Sequence, residues 1–459
     1  MAVATLFGAL NVGVSGLFVS RAATNLINHN IANANTPGYS RQYLDVQALT
    51  PQSSPFGMLG RGVGAVGIGR ITDTFVEENL YRQTSLLGTY ASINESLRNV
   101  EGILGGVDND RLGNAMSAFF DSYSELANAP DDSGRRQNVL RRAQALAFQF
   151  RDISASLLSE ERDVVRKMES QVADANALMQ RVADLNGSIV TSGGGGAASD
   201  LVDQRNLLLN KLSEIVTFNT HKRPDGSVDV IVQGRSMVTR NVVQELTLDT
   251  AFDREGKPDH RLMMGASQTL DVPLQSGTLA GLVRTANEIL PDVRADLDKL
   301  ALALRDQVNA LHREGVSTAG GGLDLFTGNS AADLAVGNAI VADPSRLATG
   351  RSGEAGDNEI ATAIAALRDS LSGESGRSLQ DLTLELVIGV AGERGTFQTL
   401  LEGQVTVVEG VAARLEEARG VNVDEELAYL LQYQRAFEAN ARVIQSVDQM
   451  LDTLINRMI

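Results

Sequence analysis

The sequence predicts a mainly α protein with paired terminal coiled-coil helices, a middle domain built as a long-helix bundle, and a small inserted β domain. Apolar residues recur at helical spacing at both chain ends and through long internal stretches. The hydrophobic residues, 43% of the chain, are largely aliphatic, with no Trp and only 4% aromatics, which favours packed helices over a β-sandwich. Short β-like runs with turn residues are confined to residues 218–274.

Length and charge narrow the class of protein. The 459 residues allow about three domains of ~150 residues. The absence of cysteine excludes a disulfide framework, a cysteine-ligated zinc or iron–sulfur site and a cysteine nucleophile. With 40 basic and 57 acidic residues and a net charge of −17, we expect no nucleic-acid partner and no polybasic membrane anchor.

The first helix is predicted over residues 4–33. Its seam follows heptad spacing, with small residues that would allow a neighbouring helix to approach closely. The seam residues are Leu6, Leu10, Gly13, Leu17, Ser20, Thr24, Ile27 and Ile31. Arg21 is the only formally charged side chain in the first 40 residues, so we expect this helix to be buried on several sides. Pro37 ends the helix, and Pro37-Gly38 suits the centre of a type II turn.

The chain end mirrors the beginning with a helix over residues 422–458. Its seam alternates steps of three and four: Leu430, Tyr433, Phe437, Asn440, Ile444, Val447, Leu451, Leu454 and Met458. Asn440 is the kind of polar seam residue that fixes register in coiled coils. We expect the two terminal seams to pair with each other. The alternative is two amphipathic helices that close an ordinary globular core.

The sequence between the ends divides into further regions. Residues 39–70 are read as a Gly-rich extended linker, and a very long helical pattern begins at Val139 and passes Val182. Glycines 193–196 interrupt it, helix resumes over 201–215 and again from Val293 to Leu311, and mixed short helices are expected up to about residue 419. The predicted domains are a terminal core (1–70 and 421–459), a helical middle domain (71–217 and 275–420) and a β-rich insertion (218–274).

No run of 18 or more apolar residues occurs, so we expect no membrane insertion. The apolar stretch from Leu6 to Val19 lacks the preceding positive charge of a secretory signal, which argues against a cleaved signal peptide.

Motifs for chemistry are weak. Gly62-Val-Gly64-Ala-Val-Gly67 matches the dinucleotide fingerprint, but its flanks read as extended and no βαβ pattern surrounds it, which favours a hairpin or flexible segment. The four histidines are isolated, and the carboxylate pairs Glu160-Glu161 and Glu425-Glu426 are expected on solvated helix faces. We therefore predict no catalytic, cofactor or metal site, and no enzymatic activity.

The most specific segment is Asn30-Ile-Ala-Asn-Ala-Asn-Thr-Pro-Gly-Tyr-Ser-Arg-Gln42. It resembles the N-terminal signature of the bacterial flagellar axial proteins, the rod, hook and hook-associated subunits. Residues 39–42 are most similar to the hook-associated branch at the hook–filament junction. Segments 420–426 and 431–440 are similar to the family's C-terminal region, and segments 200–205 and 277–282 resemble its middle helical domain.

The resemblance implies a structural subunit that is exported unfolded by the flagellar type III apparatus without a cleaved signal. It would assemble outside the cell, at the distal end of the hook, into a ring or tube with the terminal helices as its inner core. Implied partners are further copies, hook subunits, a second hook-associated junction protein and an export chaperone on the C-terminal helix.

The predicted assembly interface comprises the seam residues together with the turn residues between the first helix and the linker. These are Leu6, Leu10, Gly13, Leu17, Ile27, Ile31, Asn33, Asn35, Pro37, Gly38, Tyr39, Leu430, Tyr433, Phe437, Asn440, Ile444, Val447, Leu451, Leu454 and Met458. We expect both ends to be largely disordered in the free monomer. Alternatives are another axial subunit (hook, rod or flagellin-like), a secreted coiled-coil adhesin and a nucleotide-dependent enzyme.

Overall fold

The computed structural model describes residues 2–54, 57–105, 110–193, 198–252, 257–265, 270–317, 319–354, 356–370 and 376–457. Its helices are α1 Ala2–Ala32, α2 Thr74–Leu104, α3 Arg111–Ala127, α4 Ser133–Thr191, α5 Ser199–Ile215, α6 Thr278–Arg284, α7 Leu290–Glu314, α8 Asn338–Ala342, α9 Glu359–Ala366, α10 Leu379–Arg419 and α11 Val423–Arg457. A π-helical turn, Thr285–Ile289, joins α6 to α7. The mainly α prediction is confirmed.

The strands are short and form separate antiparallel sheets. They are β1 Gln42–Ala48, β2 Gln52–Ser54, β3 Gly57–Leu59, β4 Val63–Arg70, β5 Asn219–Lys222, β6 Val228–Val232, β7 Arg235–Thr239, β8 Val242–Val243, β9 Leu246–Phe252, β10 Pro258–Met264, β11 Leu270–Asp271, β12 Val316–Ser317, β13 Gly320–Gly321, β14 Phe326–Thr327 and β15 Ala335–Val336.

One continuous hydrophobic core runs through the helical body. Every helix from α2 through α7 contributes to it, as do α9 and the first half of α10. Its largest buried side chains include Phe119, Tyr123 and Phe150. The 59-residue α4 crosses this core from end to end with apolar residues at helical spacing, as its sequence pattern predicts. Asp132 caps its first turn by accepting hydrogen bonds from two backbone amides.

The strands between residues 219 and 271 form two sheets against α4. The first has the order β5-β6-β7-β8, and the second has the order β11-β10-β9. Two asparagines of α4 bind strand backbone: Asn176 exchanges 2.8 Å hydrogen bonds with Leu246, and Asn186 bonds both backbone groups of Val228. These amide clamps satisfy backbone groups that would otherwise be buried without partners, and they fix the sheets on the helix.

The segment read as an extended linker, 39–70, is instead mostly a two-stranded ribbon. β1 pairs with β4 in antiparallel register, and β2 pairs with β3 toward its tip. The ribbon packs along α1. A Cβ on Gly62 would lie 2.1 Å from the Ser15 hydroxyl of α1, so this glycine permits the close approach. The dinucleotide-like glycine motif thus leads into a strand, in agreement with the hairpin interpretation.

The expectation of mixed short helices up to residue 419 is wrong for its second half. α10 is a single helix of 41 residues, capped by a reciprocal pair of hydrogen bonds between Ser378 and Asp381. Its glycines weaken the sequence signal for a long helix. Packing against α2, seen in the buried cluster of Leu80, Val411 and Leu415, stabilises the helix in spite of them.

The expectation that no helix could span a bilayer also needs correction. Between Leu6 and Ala32, α1 is long and apolar enough to cross a membrane by length and composition alone. The run-length criterion missed it because Asn11 and Ser15 interrupt the apolar stretch without adding charge. In the structure α1 lies between α11 and the ribbon.

Candidate functional site

The first part of the site is the pair of terminal helices. α1 and α11 pack along each other, as predicted from their seams. A Cβ on Gly13 would lie 3.0 Å from Cγ1 of Ile444, and one on Gly16 would lie 2.5 Å from the side-chain nitrogen of Asn440. The two glycines therefore bring the helix backbones close together. Asn440 donates its amide to Ala436 O at 2.9 Å within its own helix.

Most predicted seam residues lie between the two helices, but few are fully buried. Gly13, Ser20 and Ile27 on α1 and Val447 on α11 are buried, whereas Phe437 is 42% exposed. Met458 lies outside the described residues. The half-buried members are Leu6, Leu10, Leu17, Ile31, Leu430, Tyr433, Asn440, Ile444, Leu451 and Leu454. The expectation that α1 is buried on several sides is only partly met, because Phe7 and Phe18 are exposed.

The second part is a buried polar joint, where the end of α1, the start of the ribbon and the start of α11 meet. Asn30 is its centre. Its side-chain nitrogen donates to Gln42 O at 2.9 Å and to Glu426 Oε2 at 3.0 Å. Its side-chain oxygen accepts from the Tyr39 hydroxyl at 2.7 Å and from the Gln42 amide at 3.1 Å. One side chain therefore connects three elements with its full hydrogen-bonding capacity.

Arg41 ties the same joint to the two last helices. Its Nε donates to Glu426 Oε1 at 2.7 Å, and its Nη1 lies 3.2 Å from Glu425 Oε2. Its backbone amide donates to Arg419 O, at the end of α10, at 2.8 Å. The guanidinium also lies over the Tyr429 ring, 5.6 Å from the centroid. This residue thus binds both helices on either side of the turn between α10 and α11.

Asp203 of α5 links the joint to the helical body. It accepts hydrogen bonds from the Ser40 amide at 3.0 Å and from the Ser40 hydroxyl at 2.8 Å, and it forms an ion pair with Arg70. Burial raises the pKa of Asp203, while the neighbouring Arg70 opposes that shift. Asp200, one turn earlier, accepts from Gln42 Nε2 at 2.8 Å and lies 3.4 Å from His29.

The turn that leads into the joint is the predicted type II turn. The Tyr39 amide donates to Thr36 O at 3.1 Å, and Gly38 has φ +79°. A Cβ on Gly38 would lie 2.6 Å from the Leu207 side chain, so only glycine fits both the dihedral angle and the space. Burial raises the pKa of the Tyr39 hydroxyl well above its ordinary value, with nearby carboxylates adding to the effect, so Tyr39 stays a neutral donor.

Other predicted turn residues are more peripheral. Asn35 and Pro37 are exposed. Asn33 is half-buried and donates to His29 O at 3.0 Å, closing the end of α1.

The expectation that the Glu425-Glu426 pair is solvated is wrong for Glu426, which is 2% exposed. Glu161 is likewise buried and lies 2.8 Å from Arg294.

Sequence reasoning missed how the joint is assembled. Asp203, Arg70 and Glu426 were not selected, although the segments around Asp203 and Glu426 carry the family resemblance. Asp203 lies 133 residues from Arg70 in the chain, and Glu426 lies 396 residues from Asn30, so no local periodicity links these partners. The sequence feature that could have indicated the joint is the high density of polar side chains at residues 30–42, where a helix with a single charged residue ends.

The geometry of the joint connects three parts of the chain. The hydrogen bonds and ion pairs of the joint hold the α1–α11 pair against the helical body. Within the described residues, no group of three or more His, Asp or Glu side chains is placed to hold a metal ion.

Comparisons with known proteins agree with this architecture. Residues 97–326 match the family model described as "Flagellar hook-associated protein FlgK helical domain". Residues 414–458 match "Flagellar basal body rod FlgEFG protein C-terminal". The chain is 27% identical to "Flagellar hook-associated protein 1" of Bacillus subtilis (strain 168), with 98% of each chain covered. It is 24% identical to the protein of the same name from Salmonella typhimurium, covering 97% of this chain and 99% of that one.

A solved structure shares the fold. The flagellar hook junction protein FlgK from Burkholderia pseudomallei matches with a TM-score of 0.65 at 13% identity, over 73% of this chain and 99% of that one. Together with the two family models, the long helical body with paired chain ends places the chain in the class of helical structural proteins of the flagellar axis. The chain belongs to the flagellar hook-associated protein FlgK family. The recognition made from residues 30–42 is therefore confirmed.

Proposed function

We propose that this chain forms the junction between the flagellar hook and filament, by self-assembly into a ring or tube through its paired terminal helices. The observation that carries the proposal is an apolar groove left open along the α1–α11 pair. Val14, Leu17 and Phe18 line one side of it, and Gln434 and Phe437 line the other. Phe18 is 71% exposed, although it stands on a helix with a single charged residue.

Such a surface favours burial against another copy. Large exposed apolar patches on soluble proteins mark interaction sites, and this one follows the helices that end the chain. The seam residues pair the two helices within one chain. The outward residues Phe7, Val14, Phe18 and Phe437 would then contact neighbours, so the interface extends beyond the residues selected from the sequence.

The proposal includes the finer expectations from the sequence. The partners are hook subunits on one side and a second hook-associated junction protein on the other. An export chaperone would cover the C-terminal helix before secretion, and export would proceed without a cleaved signal, to the cell exterior. The domain division is a terminal core (1–70 and 421–459), a helical middle domain (71–217 and 275–420) and a β-rich insertion (218–274). The chain would act without enzymatic activity.

The decisive experiment is deletion of the gene in the flagellated source organism, followed by electron microscopy. We expect hooks without filaments and flagellin released into the medium, with recovery on complementation. Normal filaments on the deletion strain would contradict the junction role. A strain that lacks hooks as well would indicate a rod or hook subunit instead.

The groove has its own test in the complemented strain. Phe18→Asp places a charge in the apolar groove and should abolish filament attachment while the variant is still secreted. Phe252→Asp is the matched control, because Phe252 is 70% exposed on β9, away from the terminal helices. Filaments retained with Phe18→Asp would overturn the assignment of this groove as an interface.

The chaperone expectation is tested separately by pull-down from the cytoplasm. Deletion of residues 422–459 should remove a bound chaperone, because an amphipathic helix is suited to recognition in a groove. Unchanged chaperone capture by the deleted chain would contradict it.

A further inference from the structure

α10 presents an open face that nothing in the described chain uses. Five glycines of this helix have no atom within 4 Å of the position that a Cβ would occupy: Gly389, Gly392, Gly395, Gly403 and Gly410. Each weakens an exposed helix relative to alanine, because glycine loses more backbone entropy on folding. In the single chain these glycines therefore destabilise the helix, and no contact at their positions offsets that cost.

Large apolar side chains continue this open face. Leu384 is 47% exposed and Ile388 is 50% exposed, and with Gly392 they are spaced four residues apart on one side of the helix. Thr399 lies on the same side and donates its hydroxyl to Gly395 O at 3.0 Å, so its hydrogen-bonding capacity is used within the helix. Glu393 flanks the face and forms no ion pair within the described part of the chain. The α10 face, defined here as residues 384–399, is thus apolar, with the carboxylate of Glu393 at its edge.

A complementary patch stands on the first half of α4. Residues 133–151 contain five arginines and no acidic residue. Arg141 and Arg142 form no ion pair within the described residues, and Phe148 is 59% exposed. Arg141 and Phe148 are seven residues apart and so share a side of the helix. The α4 patch, defined as Arg141, Arg142, Ala145 and Phe148, is therefore cationic with one aromatic knob.

The two surfaces belong to different helices of one body. α4 and α10 each pack against α2, α3 and α7. The open faces of both helices are therefore free for other molecules at the same time. Two different complementary surfaces on one chain make a head-to-tail contact, which closes into a ring when the rotation allows it.

We propose that the α10 face receives the α4 patch of a second copy of this chain. Phe148 would seat over Gly392 and Gly395, where the missing side chains leave room for a ring, and Arg141 would pair with Glu393. Opposite charge selects this occupant over a generic apolar helix. The inference rests on the proposed function, because it describes how subunits meet in the assembled state. The contact is small. It can still form in the assembly, because the terminal helices hold neighbouring copies together and so raise the effective concentration of its two surfaces.

Because the chain has no cysteine, disulfide crosslinking is a clean test. Flagella are isolated from a deletion strain that expresses the double variant Ala145→Cys/Thr396→Cys, which keeps Phe148 and the open glycines in place. They are then oxidised and analysed on non-reducing gels. A head-to-tail contact predicts a ladder of dimer, trimer and higher species. Each single-cysteine variant should stay monomeric on the gel. Monomer alone from the double variant, or strong dimers from either single variant, would overturn the proposal.

A charge exchange provides the second arm. Arg141→Glu and Glu393→Arg, each introduced into the double-cysteine chain, should reduce the crosslinked fraction at least fivefold, and the two together should restore it. Gly403→Ala is the matched control, since Gly403 lies on α10 beyond the proposed contact. No restoration by the combined exchange would count against the pairing.

The outcomes separate this inference from the proposed function. If the double variant Ala145→Cys/Thr396→Cys is present in isolated flagella and filaments form on its hooks, but its chains stay monomeric on the gel, only the α4–α10 contact fails. If the chain is absent from flagella altogether, the junction role fails with it.

Discussion

The Arg41 guanidinium pairs with the carboxylates of two consecutive residues, Glu425 and Glu426, which differ strongly in burial. The Glu426 carboxylate is buried and also accepts a hydrogen bond from the Asn30 side chain. The Glu425 side chain is 55% exposed. A buried charged partner contributes far more than an exposed one, because water competes with the exposed pair. The two neighbours therefore form a matched pair for testing the joint.

We predict that Glu426→Gln weakens the attachment of α11 to the joint by about 2 kcal/mol, since it removes the charge that both Arg41 and Asn30 use. Amide exchange in the first turns of α11 should then accelerate about 30-fold. Glu425→Gln, with the same chemical change one residue earlier, should cost less than about 0.5 kcal/mol. Equal effects of the two substitutions would show that Glu426 is not a link of the joint.

His312 is the second residue with a clear expectation. It is buried, its Nδ1 donates to Leu323 O at 2.6 Å, and its Nε2 accepts from the Ala348 amide at 3.0 Å. Burial lowers the pKa of His312 below its ordinary value of 6.5, although Leu323 O and Asp324 oppose the shift. The folded state therefore favours the neutral ring, and a proton on Nε2 would remove the acceptor for Ala348.

The sign of the pH dependence follows from that lowered pKa. His312 contributes stability above pH 6.5, and this contribution is lost as the pH falls through the folded-state pKa. We expect the free energy of unfolding, from urea titrations, to drop between pH 7.5 and 5. His312→Gln should be less stable at pH 7.5 and show a smaller drop. Burial lowers the pKa of His260 too, so part of the drop should persist. A drop of the same size in His312→Gln would contradict the assignment.

At this scale the sequence predicted the turn at Pro37-Gly38 well and the burial of Glu426 badly. The turn is local, so Pro37-Gly38 carries its own signal. Glu426 reads as a solvated residue in a first helical turn, because its partners Asn30 and Arg41 lie at the other end of the chain. Only the three-dimensional pairing of the chain ends makes it a buried group.

Among the elements, α1 and α11 depend on small residues for their approach. Gly16 lies against the Asn440 side chain, while a Cβ on Gly8 would meet nothing within 4 Å. A large side chain at position 16 would force the helices apart, and the same side chain at position 8 would remain in solvent.

We predict that Gly16→Leu weakens α1–α11 pairing by about 1–3 kcal/mol, a typical cost of overpacking. Gly8→Leu should leave the pairing unchanged and improve the helix by several tenths of a kcal/mol. The measurement is the yield of a disulfide between cysteines introduced at Leu6 and Leu451, both half-buried seam residues that the Gly13–Ile444 and Gly16–Asn440 contacts place opposite each other. A yield from the Gly16→Leu chain that matches that of the parent would contradict close packing at this point.

Elements with a long, regular period were predictable, and those stabilised only by tertiary contacts were not. α4 and α11 repeat their apolar spacing over many turns, so their helices follow from the sequence. In α10, five open glycines break the pattern, and α2 supplies the stabilising surface. β4 contains four small residues and reads as a linker, yet Tyr43 covers Gly69 across the ribbon, and α1 supports the ribbon at Ser15.

At the scale of the whole molecule, burial is unevenly distributed along the chain. The continuous core belongs to the helical body, and α1 and α11 contribute nothing to it. On α1 the fully buried large apolar residues are Val19, Leu26 and Ile27, all on the half toward the joint, and on α11 Val447 alone among the described residues is comparably buried. The free end of α1 is therefore held less firmly than its end at the joint, whereas α11 is held by the joint at its first turn and by Val447 in its second half.

This distribution sharpens the expectation that the chain ends are largely disordered in the free monomer. Amide exchange of the full-length monomer should be at least ~100-fold faster in residues 2–16 and 448–457 than in the buried turns of α4, because local opening there exposes little apolar surface. Residues 26–42 and 423–430 should be intermediate, since the polar joint holds them. In isolated flagella, exchange in all four segments should slow once neighbouring copies cover Phe7, Phe18 and Phe437. Protection in the monomer equal to that of α4 would mean that the pair is stable alone, and assembly would then be a docking of preformed helices.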